Sequence, residues 1–294
     1  MLALFLQVLE IVAPVLVLAG LGVGWVKLGW DYDVAFVTRL SMTVAVPCLI
    51  LTALIRTEID PAALQATIYA TIAGYGLVTV GALLLVRLAR LDIPTFLPPV
   101  IFGNTGNIGL PLALFAFGPA GLDYAVVIFA LMAIYSFTIG VWIVSGGGSI
   151  RPALREPMVW TTVLGLGFMF TGTGLPTWSM NALDLIGQMG IPLMLVTLGV
   201  ALARMEMRAS GLALLIAPLK LLLCFSAAVF VGRWFDLPDL AFGALVLQMS
   251  TPVAVTSYML AAKYGAGSRD VASLVVVSTL MSIVALPLIL GLLI

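Results

Sequence analysis

The chain has 294 residues, 63% of them hydrophobic and 9% charged, with a formal net charge of zero and no histidine. A soluble domain carries roughly 25% charged residues, so this is the composition of an integral membrane protein with almost nothing left over for a soluble domain. Histidine-based metal sites, histidine catalysis and a histidine proton relay are excluded, and a neutral chain gives no reason to expect a nucleic-acid partner.

Apolar runs of about 20 residues favour helices over a β-barrel, whose strands need only ~9–11 alternating residues. In chain order, ten spans are expected at about 4–26, 34–55, 62–86, 94–118, 121–145, 157–173, 178–203, 209–233, 239–263 and 270–293. The first lacks a basic leader and a clear cleavage site, so it reads as a retained span rather than a signal peptide. Its Gly20-Leu-Gly-Val-Gly24 run has the small-xxx-small spacing that lets membrane helices approach closely. Cys48 and Cys224 lie inside apolar runs and read as small core hydrophobes, with no disulfide or metal cluster implied.

The fourth span carries Gly103-Asn104-Thr105-Gly106-Asn107-Ile108-Gly109-Leu110-Pro111 near its expected midplane. Pro111 has no N–H, and its ring clashes with the carbonyl of Asn107. The helix is therefore expected to unwind over about 103–110, with Gly103, Gly106 and Gly109 shaping the break. Loose backbone at membrane depth is tolerated only where it is buried in protein or lines a cavity. With Asn104, Thr105 and Asn107 beside it, the stretch reads as half of a substrate site; the plainer reading is that these side chains only cap broken helix ends. It is not a phosphate loop, because no Lys-Ser/Thr follows the glycines.

The middle of the chain holds the one flexible connection, Gly146-Gly147-Gly148-Ser149, followed by Arg151-Pro152 and Arg155-Glu156-Pro157. The halves on either side, 1–147 and 148–294, look alike. Gly118-Pro-Ala-Gly-Leu-Asp123 is echoed by Gly265-Ala-Gly-Ser-Arg-Asp270, and Val46-Pro47 by Ile191-Pro192. Five spans per half is an odd number, so the second copy must be inserted upside down, an architecture of secondary transporters.

The ninth span repeats the interruption. It holds Gln248, Ser250, Thr251 and Pro252, then Thr256-Ser257-Tyr258, and Pro252 frees the Gln248 carbonyl. Gln248, Ser250 and Thr251 read either as substrate contacts or as interhelical hydrogen bonds. Two broken helices crossing at one depth present half-helix N-termini, whose partial positive charge and unpaired N–H groups suit a carboxylate.

Loop charges set orientation. With the N-terminus outside, cytoplasmic connections receive Lys27, Arg87, Arg90, Arg151, Arg155, Arg204, Arg208, Lys263 and Arg269, and outer ones only Arg56 and Arg233. Both termini are therefore expected to be extracytoplasmic. Trp25, Trp30, Trp142, Trp160, Trp178 and Trp234 fall near span ends, where an amphipathic ring suits the interface.

Four charges lie inside spans. Arg39 is close enough to an end to snorkel. Glu10 and Asp184 lie about two turns from the outer face and are candidates for lining an external vestibule. Lys220 is nearly midway along its span, where an ionisable group is a functional candidate by default. It has three readings: a balance for a bound anion, a titrating group, or a partner for a helix C-terminal carbonyl.

Gly103 to Leu112, followed by Phe117-Gly118, resembles the crossover helix of the auxin efflux carrier family, which includes plant PIN-type auxin exporters and bacterial malate and malonate permeases. Gln248 to Pro252, Ala262-Lys263-Tyr264 and Ala285-Leu286-Pro287 resemble that family's ninth and tenth spans. The resemblance implies an all-α protein of ten transmembrane helices in two inverted five-helix repeats, with helices 4 and 9 broken. Helices 1, 2, 6 and 7 would form a scaffold, often homodimeric, and helices 3–5 and 8–10 a mobile transport domain working by an elevator motion in the cytoplasmic membrane. Asn104 matches the asparagine that contacts the substrate carboxylate, and Pro252 the ninth-helix proline. This chain lacks the long central loop of the plant carriers and has Gly106 and Asn107 where they are apolar, which favours a small, polar dicarboxylate over an indole.

The expected function is secondary transport of small carboxylates of the malonate and malate kind. No cofactor is expected; proton coupling is compatible with the composition, and sodium is left open. The alternatives are a sensory or assembly subunit with a transporter fold, and an intramembrane enzyme. The enzyme reading needs paired acids with a metal, a histidine or an activated nucleophile, and the spans offer none of these.

Overall fold

In the computed structural model, residues 2–56, 59–147, 157–204 and 210–293 are described. Residues 148–156, which include most of the expected linker and the boundary between the halves, lie outside them, as does Arg208. The helices are α1 (Leu2–Lys27), α2 (Val34–Leu40), α3 (Val46–Arg56), α4 (Pro61–Leu88), α5 (Ile93–Ile101), α6 (Leu110–Tyr135), α7 (Val141–Val144), α8 (Pro157–Thr171), α9 (Thr177–Gln188), α10 (Gly190–Arg204), α11 (Gly211–Trp234), α12 (Asp239–Met249), α13 (Val255–Tyr264) and α14 (Ser268–Leu293). No strand occurs among the described residues; seven helical runs there are long and apolar enough to cross a membrane. The protein is an integral membrane protein.

Local chemistry explains where the helices start. Asp33, Asp60, Asp92 and Ser210 each accept a hydrogen bond from a backbone N–H of the first turn that follows, satisfying donors the helix cannot. Gly265 ends α13 in the left-handed conformation, at φ 75°. Gly118, at φ 68°, breaks the helical direction within α6, and Pro119 restarts it.

Prolines are accommodated in an unexpected way. A π-helical turn spans Ser41–Ala45 two residues before Pro47, and another spans Thr105–Gly109 two residues before Pro111. Widening the coil to i→i+5 bonding moves the carbonyl that a proline ring would otherwise strike. The chain therefore stays helical through 105–117, and the interruption lies earlier than Pro111 suggests, at residues 102–104.

The helices pack as two groups. In one, α1 lies on α10, and α3 on α8 and α9. In the other, α4 lies on α11, α6 on α12, and α14 on α11 and α13, with α5 against α4. Glycines set the closest approaches. A Cβ at Gly22 would strike the Val196 carbonyl, and one at Gly199 the Ala19 carbonyl, so α1 and α10 touch backbone to backbone. Gly20 and Gly24 face open space; within this run, Gly22 is the glycine that packs.

Replacing Gly199 with Ala must push α1 and α10 apart, because the obstacle is backbone and cannot rotate away. We expect a loss of about 1–3 kcal/mol, read as a lower melting temperature of the purified protein. Gly24→Ala should leave the melting temperature unchanged or slightly raise it.

Candidate functional site

The two interrupted helices meet at their interruptions. Gly103 and Val253 form an isolated antiparallel bridge. Asn104 N donates to Pro252 O at 2.7 Å, and Ala254 N donates to Phe102 O at 3.3 Å. Gly103 is required there, because a Cβ would strike the Thr251 hydroxyl. The carbonyl that Pro252 leaves without a helical partner, Gln248 O, is taken by the Thr251 hydroxyl at 2.7 Å.

The crossing has two electrically opposite sides. Residues after each interruption begin a helix, so the free N–H groups at 105–107 and 255–256 carry partial positive charge. Residues before each interruption end a helix and carry partial negative charge. Asn104, the last residue of the first interruption, and Thr105 and Asn107 just after it line a cavity of about 50 Å³ together with Val255 and Thr256 past the second. Asn104 Nδ2 and Thr105 Oγ1 are buried with no hydrogen-bond partner among the described residues. The rest of the lining is mostly apolar, Met42, Phe129, Met132, Phe137 and Met158 among it, with Ser136 as a further hydroxyl. A neighbouring cavity of about 30 Å³ shares Asn107, Met42, Val255 and Thr256 and reaches Met194 and Thr197 on α10. Both cavities are therefore walled by both helix groups, and neither is lined by Lys or Arg.

Gln248, Ser250 and Thr251 do not join this cavity. Gln248 is fully buried, its Nε2 donating to Ala125 O at 3.3 Å, and its Oε1 abuts Gly109, where a Cβ would collide. Ser250 and Thr251 line a separate cavity of about 10 Å³ with Lys220, Ser278 and Ser282. Lys220 Nζ donates to Thr251 O at 2.9 Å, the third of its expected readings. Gly106 packs against Phe129, and Pro111 sits in the first turn of α6, one turn from the cavity. Asp184 is paired with Arg56, and Glu10 is exposed on α1; neither lines a cavity described above. Arg39 is exposed.

The residues at the second helix start that the sequence reading left out of the site are Val255 and Thr256. A signal for them was present: only residues after a break present helix N-termini. That sign separates Asn104, Thr105 and Asn107 from Gln248, Ser250 and Thr251, and points to 255–256 as the second helix start at the cavity.

A site of this kind, held between broken helices of an all-helical membrane protein, belongs with carriers of solutes. Residues 147–290 match the family model described as "Membrane transport protein". An uncharacterized transporter of Methanothermobacter thermautotrophicus is 28% identical over 299 residues, covering 97% of this chain and 98% of that protein. A second uncharacterized transporter, from Methanocaldococcus jannaschii, is 25% identical over 201 residues, or 64% of each chain. The matched half and both relatives are those of membrane transporters rather than enzymes, in line with the resemblance to the auxin efflux carriers.

The Gly109–Gln248 contact ties the two interrupted helices together below the cavity and can be tested by a double-mutant cycle. Gly109→Ala alone should cost about 1–3 kcal/mol by overpacking. Combined with Gln248→Ala, which removes the obstructing amide, the total should fall short of the sum of the two single losses by ~1 kcal/mol or more. Additive losses would mean that the two residues do not meet.

Proposed function

We propose that the chain is a secondary carrier of small organic anions, carboxylates in the size range of malonate and malate, which it binds where its two interrupted helices cross. The observation that carries this reading is the cavity that holds both half-helix N-termini together with the unpartnered Asn104 amide. Each N-terminus contributes roughly +0.5 of an elementary charge, so the pair offers about +1 to a single carboxylate without any cationic side chain. Asn104 and Thr105 supply hydrogen-bonding groups at the same pole, and Thr256 supplies one from the second helix. Beyond the Ser136 hydroxyl, a second carboxylate would meet Phe129, Met132, Phe137 and Met158, so monocarboxylates of the same size belong in any substrate screen.

Ten crossings in two inverted repeats underlie the mechanism. The helical run 105–144 has 40 residues, or ~60 Å at 1.5 Å per residue, twice the ~30 Å of hydrocarbon. It is therefore two crossings divided at Gly118. Exchanging the halves turns the packing of α1 on α10 into that of α8 on α3, and returns α4 on α11 to itself. The same exchange carries residues 102–104 onto 252–254 and swaps their two hydrogen bonds. Both termini lie on the outer side in this arrangement.

Alternating access follows from the two groups. The cavity lies on the seam between them, and the interrupted helices belong wholly to one group. Sliding that group along α1, α3, α8 and α10 would carry the bound anion across, an elevator motion. A homodimer through the stationary group would anchor it in the bilayer.

The test is uptake of labelled malonate, malate and small monocarboxylates by proteoliposomes, with ligand-induced thermal stabilisation as a second readout. Asn104→Ala should reduce flux at least tenfold and abolish ligand stabilisation, while expression and the unliganded melting temperature stay within about 3 °C of wild type. Undiminished flux in that variant would remove Asn104 from the site. No flux of any organic anion by the wild type would remove the carrier reading.

A further inference from the structure

We infer that Lys220 is a built-in cation, seated where the C-terminal ends of the two half-helices would otherwise draw a metal ion, and that the crossing consequently needs no sodium. In carriers with discontinuous helices, half-helix C-termini and unwound carbonyls coordinate the coupling cation. Here one face of α11 serves both ends. Lys220 Nζ donates to Thr251 O, just past α12, at 2.9 Å, and Cys224, one turn on, directs its Sγ at Val100 O in the last turn of α5, at 3.8 Å.

Charge arithmetic supports the assignment. Lys220 is 2% exposed and forms no ion pair with a carboxylate among the described residues. A buried ammonium requires compensation. The α12 C-terminus, about −0.5, accepts the ammonium directly, and that of α5 lies beside Cys224 one helical turn along α11. The ammonium thus does for the C-terminal side what a bound carboxylate does for the N-terminal side.

The space beside it points the same way. The cavity of about 10 Å³ at Lys220 is bounded by Ser250, Thr251, Ser278 and Ser282, with no acidic side chain. Ser250 is 1% exposed, and its Oγ has no partner among the described residues. Such a space takes one water-sized guest. With the lysine present it has room for a water between the ammonium and the serine hydroxyls; with the lysine shortened, the freed volume and its oxygens form a seat for a small cation.

The inference concerns the same crossing as the carrier reading, but its test needs no substrate. Melting temperatures of the purified wild type and Lys220→Ala are compared in sodium, potassium, ethylammonium and N-methylglucamine chloride at matched ionic strength. The wild type should melt at one temperature in all four. Lys220→Ala should melt at least about 5 °C lower in N-methylglucamine and regain half or more of that loss in sodium or ethylammonium. Lys220→Met, which fills the volume without charge, should show no cation preference.

A wild type stabilised by sodium over potassium would overturn the proposal, as would a Lys220→Ala loss equal in all four salts. If the alanine variant does not purify folded, Lys220→Ser, which also shortens the side chain, takes its place and is read by the same criteria. Absence of transport by the wild type would sink the carrier reading and leave these comparisons standing.

Discussion

The structure depends on a mutual repair of backbone. An interrupted helix leaves carbonyls and N–H groups without partners, and in a bilayer each such group costs several kcal/mol. Neither interruption resolves this alone. Asn104 N finds Pro252 O, Ala254 N finds Phe102 O, and Ser278 Oγ takes Val253 N at 3.0 Å. Each half of the chain supplies what the other lacks. The interruptions are stable only as a pair, and the pair is stable only where Gly103 lets the two strands come together. What remains unsatisfied is confined to the two sides of the crossing, where the first amides of one helix pair and the last carbonyls of the other are exposed to whatever can match their charge.

Much of this was legible in the chain. Span positions follow from apolar runs, and several starts follow from single residues: Asp60 before Pro61, Asp92 two before Pro94, Ser210 before Gly211. That two helices are interrupted followed from the glycines, asparagines and prolines at their centres. The position of the first interruption did not. Proline is a local rule, and at Pro111 the π-turn over 105–109 absorbs its effect without breaking the helix. The true break at 102–104 is fixed by pairing with residues 150 positions away, which no local rule contains.

Facing was the second thing the sequence hid. Helices that are apolar nearly all round give little periodicity to say which side is inward. Gly20 and Gly24 have the favoured spacing, yet Gly22 makes the contact. The same blindness put Gln248, Ser250 and Thr251 with Asn104 when they lie across the crossing from it. Chain polarity would have sorted them, since a residue before a break stands at a negative helix end and one after it at a positive end. Electrostatic sign was the more informative cue here than polarity of the side chain.

The distribution of tight contacts bears on motion. Every glycine at which a Cβ would come closer than 3.0 Å to a neighbour does so within its own helix group: Gly22, Gly165 and Gly199 in one, Gly81, Gly103, Gly109, Gly140 and Gly243 among those in the other. The polar links named between distant helices behave alike. Tyr32 OH to Thr197 and Arg56 to Asp184 stay in the first group; Lys220 to Thr251, Gln248 to Ala125 and Thr79 to Tyr135 stay in the second. Across the seam, a Cβ at Gly106 would meet Met194 only at 3.7 Å, an ordinary contact with a flexible side chain. Interlocked backbones and buried hydrogen bonds resist displacement, whereas methionine, valine and alanine surfaces slide at little cost because dispersion contacts reform at each position. Under the proposed carrier mechanism this boundary is where one group would move against the other, and the cavity at Asn104 lies on it.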